Sequence, residues 1–494
     1  MNRPSYLKTS LWFCGVALLC LFFADLEISA MNPWRELGRM ALGALTPDFR
    51  DGRLLAEAMM NTVAFAFLGV AVGSAAGLGM ALIFRYRFVR VLCAALRSVH
   101  ELFWALIFLQ AVGLNVLTGL LAIAVPFSGI FAKVYSEILE EADTIPLKAV
   151  PVNSSHASVF LFVRLPGVWP HLVSYTSYRL ECGLRSSAIL GFVGLPTMGF
   201  HLETFFRQGL YSGVSSLMIL FFVLIATLRW WVRPRLLWVY LLGSAVFLWG
   251  NVDISGANLV RFLTEDIVPY PLRTAAVING TALTEFGEWG WQLLVVKGLP
   301  AAIATLVLTQ IALTGTAVFA LAFFPLVSEK FFGRVGRTLG HIFLVVTRST
   351  PEYILTFIFV HLWGPSMLPA IVALALHNGA IIGHLIGRHA DQVPSRPDAS
   401  RGLNLYGFEV LPRVYGQFLA FLFYRWEVIL RETAILGMLG IHTLGFYVDS
   451  AFQDIRLDRA MVLIAFTAVL NIGVDAFSRF LRARLRLSTT AKIE

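Results

Sequence analysis

The sequence predicts an all-α membrane protein with about twelve transmembrane helices in two parallel, pseudo-symmetric halves. Three observations support this prediction: a low content of charged residues, long uncharged stretches, and an internal repeat. Of the 494 residues, 57% are hydrophobic and only 14% are charged, whereas soluble proteins carry about 25% charged residues. So few charges cannot cover the surfaces of several soluble domains, and much of the surface is therefore expected to face lipid.

Charge and cysteine usage exclude several other classes of protein. Lys and Arg outnumber Asp and Glu by 39 to 30, and in so apolar a chain this excess indicates orientation in a membrane rather than nucleic-acid binding. The four cysteines are scattered without CxxC spacing and lie in or beside apolar stretches. They predict neither a disulfide framework nor a metal cluster.

Windows without charged residues mark the spans, because a helix needs about 20 apolar residues to cross the hydrocarbon core. Two of the windows are too long for one helix and are interrupted by Gly or Pro, which predicts paired spans joined by tight turns at Gly113 and at Gly364. The fifth span of each half is expected to follow residue 165 and residue 411. In chain order, the apolar windows are residues 11–24, 58–84, 102–132, 209–228, 236–250, 298–327 and 353–384.

Basic residues orient the chain, because cytoplasmic loops collect Lys and Arg. Placing the basic loops inside leaves residues 25–57 and 251–297 outside and both termini in the cytoplasm. Residues 11–24 resemble a signal peptide, but their counterpart lies mid-chain, so both segments are expected to be retained as first spans. The basic loops are residues 85–97, 229–235, 330–337, 388–413 and 479–486.

The two halves of the sequence repeat each other. Residues 165–200 align without gaps with residues 411–446, and 16 of the 36 positions are identical. Apolar composition does not explain Arg, Glu and Pro recurring at fixed spacing, so we predict an internal duplication. Its halves are residues 1–233 and 234–494, and six spans in each make the repeat parallel. A substrate path is then expected between the halves.

Three polar motifs recur in the repeat. The spacing Tyr-Arg-x-Glu-x-x-x-Arg occurs at residues 178–185 and 424–431, and Arg-Ser-x-x-Glu occurs at residues 97–101 and 348–352. A polar inner segment that ends in Leu-Pro precedes each fifth span. Together these motifs resemble the permease of phosphonate importers, a branch of the binding-protein-dependent ABC importer permeases. The resemblance covers nearly the whole chain, as two fused copies.

The resemblance implies a type I ABC importer permease fold in the inner membrane that moves phosphonate or a related phosphorus oxyanion inward by alternating access. It implies an extracytoplasmic binding protein and two ATPase subunits that dock on the inner segments, residues 140–164 and 388–410. Fusion of the halves implies one copy per transporter. The positions of a family glycine hold Asn153 and Ala399, so the two docking contacts are expected to be unequal. The coupling candidates are Glu141, Ala142, Asn153, Ala390, Asp391 and Ala399.

Charged residues inside the fifth spans are the candidates for the substrate path. With about 1.5 Å of rise per residue, Arg179 lies some 20 Å above the inner surface, and charges at such depth are functional candidates by default. Glu181 and Arg185 are spaced for mutual pairing, whereas Arg179 and Arg425 have no obvious local partner. A planar guanidinium suits a tetrahedral oxyanion; structural ion pairs are the alternative. The full set is Arg179, Glu181, Arg185, Arg425, Glu427 and Arg431.

Glycines suggest two further features. Gly69, Gly73 and Gly77 recur every four residues, which predicts close helix packing. A second set follows the fifth spans and predicts either an outer gate or a tight turn: Gly191, Gly194, Gly437 and Gly440.

No motif indicates catalysis by this chain. HExxH and Cys/His ligand spacings are absent from the sequence, so no metal site is expected, and without a GxxxxGK[ST] loop any ATP and Mg²⁺ are expected on partner ATPases. Two alternatives stay open. One is an ABC permease for another solute, such as phosphate, sulfonate or an amino acid. The other is an ion-coupled secondary transporter that uses Glu181 and Glu427.

Overall fold

The structure is a computed structural model that describes residues 6–142, 145–146, 150–151, 153–249, 256–274, 279–394, 396 and 402–487. The described residues form helices and connecting turns and contain no strand, which confirms the predicted fold class. The first helices are α1 (Tyr6–Leu21), α2 (Pro33–Leu45), α3 (Gly52–Leu82), α4 (Arg87–Ser98), α5 (Glu101–Val112), α6 (Val116–Glu140), α7 (His156–Val159), α8 (Leu165–Ile189), α9 (Met198–Gln208), α10 (Tyr211–Trp231) and α11 (Leu237–Leu248). The remaining helices are α12 (Gly256–Arg261), α13 (Tyr270–Thr274), α14 (Gly280–Trp291), α15 (Leu299–Phe323), α16 (Arg334–Ser349), α17 (Glu352–Trp363), α18 (Met367–Gln392), α19 (Leu411–Leu436), α20 (Leu444–Gln453) and α21 (Leu457–Arg484).

Seven helical segments among the described residues are long and apolar enough to cross a membrane, and three bent pairs bring the number to ten. Two shorter apolar helices, α1 and α11, are the expected first spans of the two halves. The chain is therefore a multi-pass membrane protein. The count of twelve spans stays a prediction.

The predicted tight turns inside the two long windows are confirmed. Helices α5 and α6 are separated by Gly113, and α17 and α18 by Gly364, and both glycines have φ of +90°. Only glycine adopts this conformation without strain. After the first turn, the Asn115 side chain accepts a hydrogen bond from the Thr118 N–H at 3.1 Å and so caps α6.

Several segments predicted as loops contain helices instead. Helix α4 replaces the first basic loop and bends by 93° into α5, while α16 bends by 91° into α17. Both are amphipathic: α4 buries Val89 and Cys93, one turn apart, against Ala132, while Arg87 and Arg90 are exposed. In the segment predicted as the loop of residues 251–297, α14 continues through a π-helical stretch, Gln292–Gly298, into α15. Charged residues end an apolar window without ending a helix.

The glycine repeat of α3 packs against α6 as predicted. A Cβ added to Gly69 would lie 2.8 Å from Ile123, and one added to Gly77 would lie 2.4 Å from the Cβ of Phe131. Such distances are shorter than a van der Waals contact, so only glycine lets the two backbones approach this closely.

Equivalent contacts recur in the two sequence halves. The Thr62 hydroxyl accepts a hydrogen bond from the Met198 N–H at 2.9 Å, and the Thr305 hydroxyl accepts one from the Leu444 N–H at 3.0 Å. Each threonine also donates to the carbonyl four residues earlier in its helix. The repeated contacts support the predicted duplication.

The chain divides into two compact units that do not coincide with the sequence halves. One unit comprises Met1–Arg39 and Asp266–Glu494, and the other comprises Met40–Glu265. We call them the C-unit and the N-unit, respectively. The first span α1 therefore belongs to the unit built mainly from the C-terminal half, and α11 belongs to the other.

Specific contacts hold these two helices in their units. In the C-unit, Gln310 of α15 donates to the Phe13 carbonyl at 3.2 Å, and the hydroxyls of Ser10 and Tyr415 lie 2.7 Å apart. In the N-unit, the ring of Tyr240 on α11 packs against Phe67 of α3, with centroids 5.3 Å apart.

Candidate substrate path and coupling segments

Arg179 of α8 is held by two tyrosines of its own helix. Its Nε donates to the Tyr175 hydroxyl at 2.8 Å, and its guanidinium carbon lies 5.4 Å and 5.8 Å from the ring centroids of Tyr175 and Tyr178. The expectation that Arg179 lacks a local partner was wrong, because a hydroxyl one helical turn earlier reaches the guanidinium. Tyr175 is itself packed edge-on against Phe131 of α6, so the guanidinium has a fixed position.

Arg425 of α19 has a different environment. Its position four residues earlier is Phe421, which offers no hydroxyl, where α8 has Tyr175. Among the described residues, Arg425 makes no hydrogen bond or ion pair. The repeat therefore supplies two arginines at equivalent positions, of which only Arg179 is bound by a neighbouring phenol.

The expected ion pair between Glu181 and Arg185 is not formed. Glu181 makes no ion pair with any described residue, and the Nη2 of Arg185 lies 3.7 Å from the Sγ of Cys182. In α19, both Glu427 and Arg431 interact with neighbouring residues.

The six candidate path residues share one property: each is half-buried, neither in the packed interior nor fully exposed. Only 11% of the apolar window that contains α8 is buried inside the structure. This makes it the least covered of the seven apolar segments, so its charged residues lie on an accessible helix. Whether they contact substrate stays a prediction.

A cavity of about 580 Å³ lies at the foot of α8 in the N-unit. Its described lining includes two of the predicted coupling residues, Glu141 and Ala142, together with Tyr175 and Tyr178. The same two tyrosines hold Arg179. The first inner segment therefore shares one cavity with the residues that position the candidate path arginine.

The second inner segment begins inside α18 and is tied to its own unit. Ala390 is fully buried, and the Asp391 carboxylate accepts hydrogen bonds from the Ser328 hydroxyl at 2.6 Å and the Glu329 N–H at 2.9 Å. Lys330 donates to the carbonyl of Val393. Ala390 and Asp391 thus anchor the start of the segment, and Asp391 is exposed. A coupling role for either stays a prediction.

The remaining coupling candidates lie elsewhere. Asn153 is exposed in a turn closed by the Ser154 N–H, which donates to the Pro151 carbonyl at 3.0 Å. Ala399 lies outside the described residues.

The outer glycines form a tight turn at the end of each fifth span. A Cβ on Gly191 would lie 2.0 Å from the Phe200 nitrogen, and one on Gly437 would lie 2.1 Å from the Phe446 nitrogen. Gly194 and its counterpart Gly440 have φ of +94° and +83°. These glycines are required by close backbone approach and by backbone conformation. A gating role stays a prediction.

Three buried side chains from separate helices converge at a place that no sequence motif indicates. In the C-unit, Glu352, His377 and Glu432 each offer a ligand atom, and these atoms lie within 4.8 Å of one another. The signal available in the sequence was Glu352 in the repeated Arg-Ser-x-x-Glu motif. Its partners come from α18 and α19, at no fixed spacing from it.

A multi-pass helical bundle with a duplicated charged span and polar inner segments is the architecture of a transport permease. The chain belongs to the family of binding-protein-dependent transport system inner membrane components, whose family model matches residues 321–487. It is 30% identical over 189 residues to the phosphite transport system permease protein PtxC of Stutzerimonas stutzeri; that alignment covers 36% of this chain and 69% of PtxC.

Two further relatives extend the similarity. The phosphate-import permease protein PhnE of Mycolicibacterium smegmatis is 23% identical over 428 residues, which cover 79% of this chain and 76% of PhnE. The putative phosphite transport system permease protein HtxC of Stutzerimonas stutzeri is 29% identical over 201 residues, 38% of this chain and 71% of HtxC. No solved structure matches the chain significantly.

Proposed function

We propose that this chain is the membrane permease of an ATP-driven importer for phosphonate or a related phosphorus oxyanion. The observation that carries the proposal is the similarity to a phosphate-import permease over 79% of the chain, which includes both sequence halves. The other two relatives are named for phosphite. Phosphate, phosphite and phosphonate are all tetrahedral phosphorus oxyanions, so the shared chemistry defines the substrate class.

Arg179 and Arg425 are the residues that would attract this anion. Both lie half-buried on the duplicated charged spans, and a guanidinium presents several N–H donors in a geometry that matches oxyanions. The Tyr175 hydroxyl holds Arg179 in place, which reduces the conformational entropy that anion binding has to overcome. Glu181 and Arg185 of the same helix, with Glu427 and Arg431, would tune the potential along the path.

Energy would come from two partner ATPases that bind ATP and Mg²⁺ and dock on residues 140–164 and 388–410. The cavity lined by Glu141, Ala142 and Tyr175 supports this coupling. A displacement of the first inner segment would be transmitted to Tyr175, which positions Arg179. An extracytoplasmic binding protein would deliver the substrate to the outer glycine turns. Both termini would then be cytoplasmic.

Fusion of two permease copies would make one chain sufficient for a transporter. PtxC is about half as long as this chain, since the same alignment covers 36% of one and 69% of the other. The contacts repeated at Thr62 and Thr305 support the duplication. We expect a complex of one chain with two ATPase subunits.

The test is uptake by the complete transporter. The full chain is expressed with the ATPase and binding protein found in neighbouring reading frames, in cells that lack their own phosphorus-oxyanion importers. We expect vanadate-sensitive uptake of at least one labelled anion among phosphate, phosphite and methylphosphonate, and none of sulfonates or amino acids. Vanadate-insensitive uptake driven by an ion gradient would contradict the proposal, as would competition by a sulfonate or an amino acid alone.

A further inference from the structure

The buried cluster of Glu352, His377 and Glu432 in the C-unit has the chemistry of a cation site. The three residues come from α17, α18 and α19, respectively, and each is at most 8% exposed. Their ligand atoms lie within 4.8 Å of one another. Two carboxylates buried this close together repel each other unless positive charge lies between them.

The hydrogen bonds of His377 determine which ring nitrogen faces the cluster. Its Nδ1 lies 2.9 Å from the carbonyl oxygen of Thr350, and a carbonyl can only accept, so Nδ1 carries the hydrogen. In the neutral ring Nε2 therefore presents a lone pair. That nitrogen lies 3.8 Å from Oε2 of Glu352, beyond hydrogen-bond range. A backbone carbonyl that fixes the tautomer and turns the other nitrogen inward is the usual outer shell of a metal-bound histidine.

A fourth residue borders the cluster with an unsatisfied oxygen. Asn378 is fully buried, and its Nδ2 donates to Oε2 of Glu432 at 3.1 Å. Its Oδ1 has no hydrogen-bond partner among the described residues. A buried polar atom without a partner costs free energy, and a cation beside the amide would remove that cost.

At the equivalent place in the N-unit, only one of the three cluster residues is retained. Glu101 is the counterpart of Glu352, but the positions of His377 and Glu432 hold Pro126 and Ser186. Ser186 donates to Oε1 of Glu101 at 2.8 Å. The nearby imidazole, His100, accepts the Leu102 N–H at its Nδ1 at 3.1 Å. In its neutral form His100 thus carries its hydrogen on Nε2, which lies 3.8 Å from Glu101. The single carboxylate there accepts a hydrogen bond from Ser186.

We propose that Glu352, His377 and Glu432 bind a divalent first-row transition metal ion of the Zn²⁺ class. Two carboxylates and a neutral imidazole have a formal charge of −2, which a divalent ion balances. A mixed nitrogen and oxygen donor set suits Zn²⁺ or Mn²⁺ better than Ca²⁺, which takes six to eight oxygens. Tetrahedral Zn²⁺ holds neighbouring ligand atoms about 3.3–3.6 Å apart, so small side-chain rotations bring the three atoms onto one ion. The ion would join α17, α18 and α19.

The test is the metal content of the purified full-length chain, a measurement that does not depend on the transported substrate. After incubation with Zn²⁺ and removal of loosely bound ions, mass spectrometry of the elements is expected to find about one Zn²⁺ per wild-type chain. The Glu432→Ser variant, which places the N-unit residue at this position, is expected to lose it. The matched control Glu101→Gln alters the carboxylate of the N-unit and is expected to keep the ion.

A second variant and a second measurement distinguish loss of the ion from misfolding of the Glu432→Ser variant. His377→Gln keeps an amide for hydrogen bonding and is also expected to lose the ion, and addition of EDTA should lower the melting temperature of wild type but not of either variant. A wild-type chain that binds neither Zn²⁺ nor Mn²⁺ would overturn the proposal and leave a shared proton as the counter-charge. Equal metal content in wild type and Glu432→Ser would overturn it as well.

Discussion

At the scale of single residues, the two path arginines differ in one hydroxyl. Arg179 is bound by Tyr175 at 2.8 Å, whereas the residue four positions before Arg425 is Phe421, which has no hydroxyl. Hydrogen bonds to a charged group contribute about 1.5–3 kcal/mol each, which corresponds to about tenfold or more in an equilibrium constant. We expect the double variant Arg179→Gln with Arg425→Gln to lower initial uptake by about tenfold or more. Unchanged uptake by the double variant would contradict the proposed role of the two arginines in anion binding.

The tyrosine supplies a matched pair of controls. Tyr175→Phe gives α8 the residue that α19 has, and Phe421→Tyr gives α19 the residue that α8 has. If Tyr175 positions Arg179 for the anion, Tyr175→Phe is expected to raise KM for uptake with little change in kcat, and Phe421→Tyr is expected to lower KM or leave it unchanged. A loss of thermal stability with an unchanged KM would instead indicate a structural arginine.

Glu203 on helix α9 predicts a pH dependence. Its side chain is 17% exposed, and burial raises the pKa of its carboxyl, although Arg207 at 2.8 Å opposes the shift. The folded chain then binds this proton at higher pH than the unfolded chain, so the group favours folding increasingly as pH falls from 7 towards the ordinary Glu pKa of about 4.3. We expect the melting temperature of wild type, relative to Glu203→Gln, to rise on acidification. Glu265→Gln, at an exposed side chain, controls for the loss of one carboxylate.

At the scale of helices, the contact between α3 and α6 depends on glycine at defined positions. Gly77 and Gly79 lie in the same helix, but a Cβ on Gly77 would meet Phe131 at 2.4 Å, and one on Gly79 would meet nothing within 4 Å. We expect Gly77→Ala to destabilise the protein by about 1–3 kcal/mol, typical of overpacking. Gly79→Ala should stabilise it by up to about 1 kcal/mol through helix propensity. Thermal unfolding in detergent tests this, and equal shifts would refute the packing argument.

The structural features that could be predicted are those in which one residue determines the local backbone conformation. The turns at Gly113 and Gly364 follow from backbone freedom alone. The prediction of a loop at residues 85–97 was wrong because charge was taken to end a helix, whereas α4 keeps Val89 and Cys93 on one buried face. The hydrogen bond that the Asp391 carboxylate accepts from Ser328 was not predictable, because the two residues are 63 positions apart and no local pattern indicates the contact. The cluster of Glu352, His377 and Glu432 was not predictable either, because its residues come from three separate helices.

At the scale of the whole molecule, the sequence repeat and the compact units divide the chain differently. An alignment shows which spans are equivalent, but it does not show which first span packs in which unit. About 30 residues separate α1 from α3, and an extended chain of that length reaches about 100 Å, so connectivity does not decide the packing. The contacts of Phe13 with Phe423 and Trp426, at ring centroid distances of 5.1 Å and 5.2 Å, place α1 in the C-unit.

Cross-linking tests this assignment of α1. In a background in which the four native cysteines are replaced, a short bis-maleimide is expected to join Ser10→Cys to Tyr415→Cys, because their native hydroxyls lie 2.7 Å apart. The matched control pairs Ser10→Cys with Trp169→Cys, since Trp169 occupies on α8 the position that Tyr415 occupies on α19. If α1 packed within its own sequence half, the second pair would react and the first would not. Mass spectrometry of the linked peptides distinguishes the two outcomes, and reaction of the Trp169 pair alone would refute the exchange of first spans.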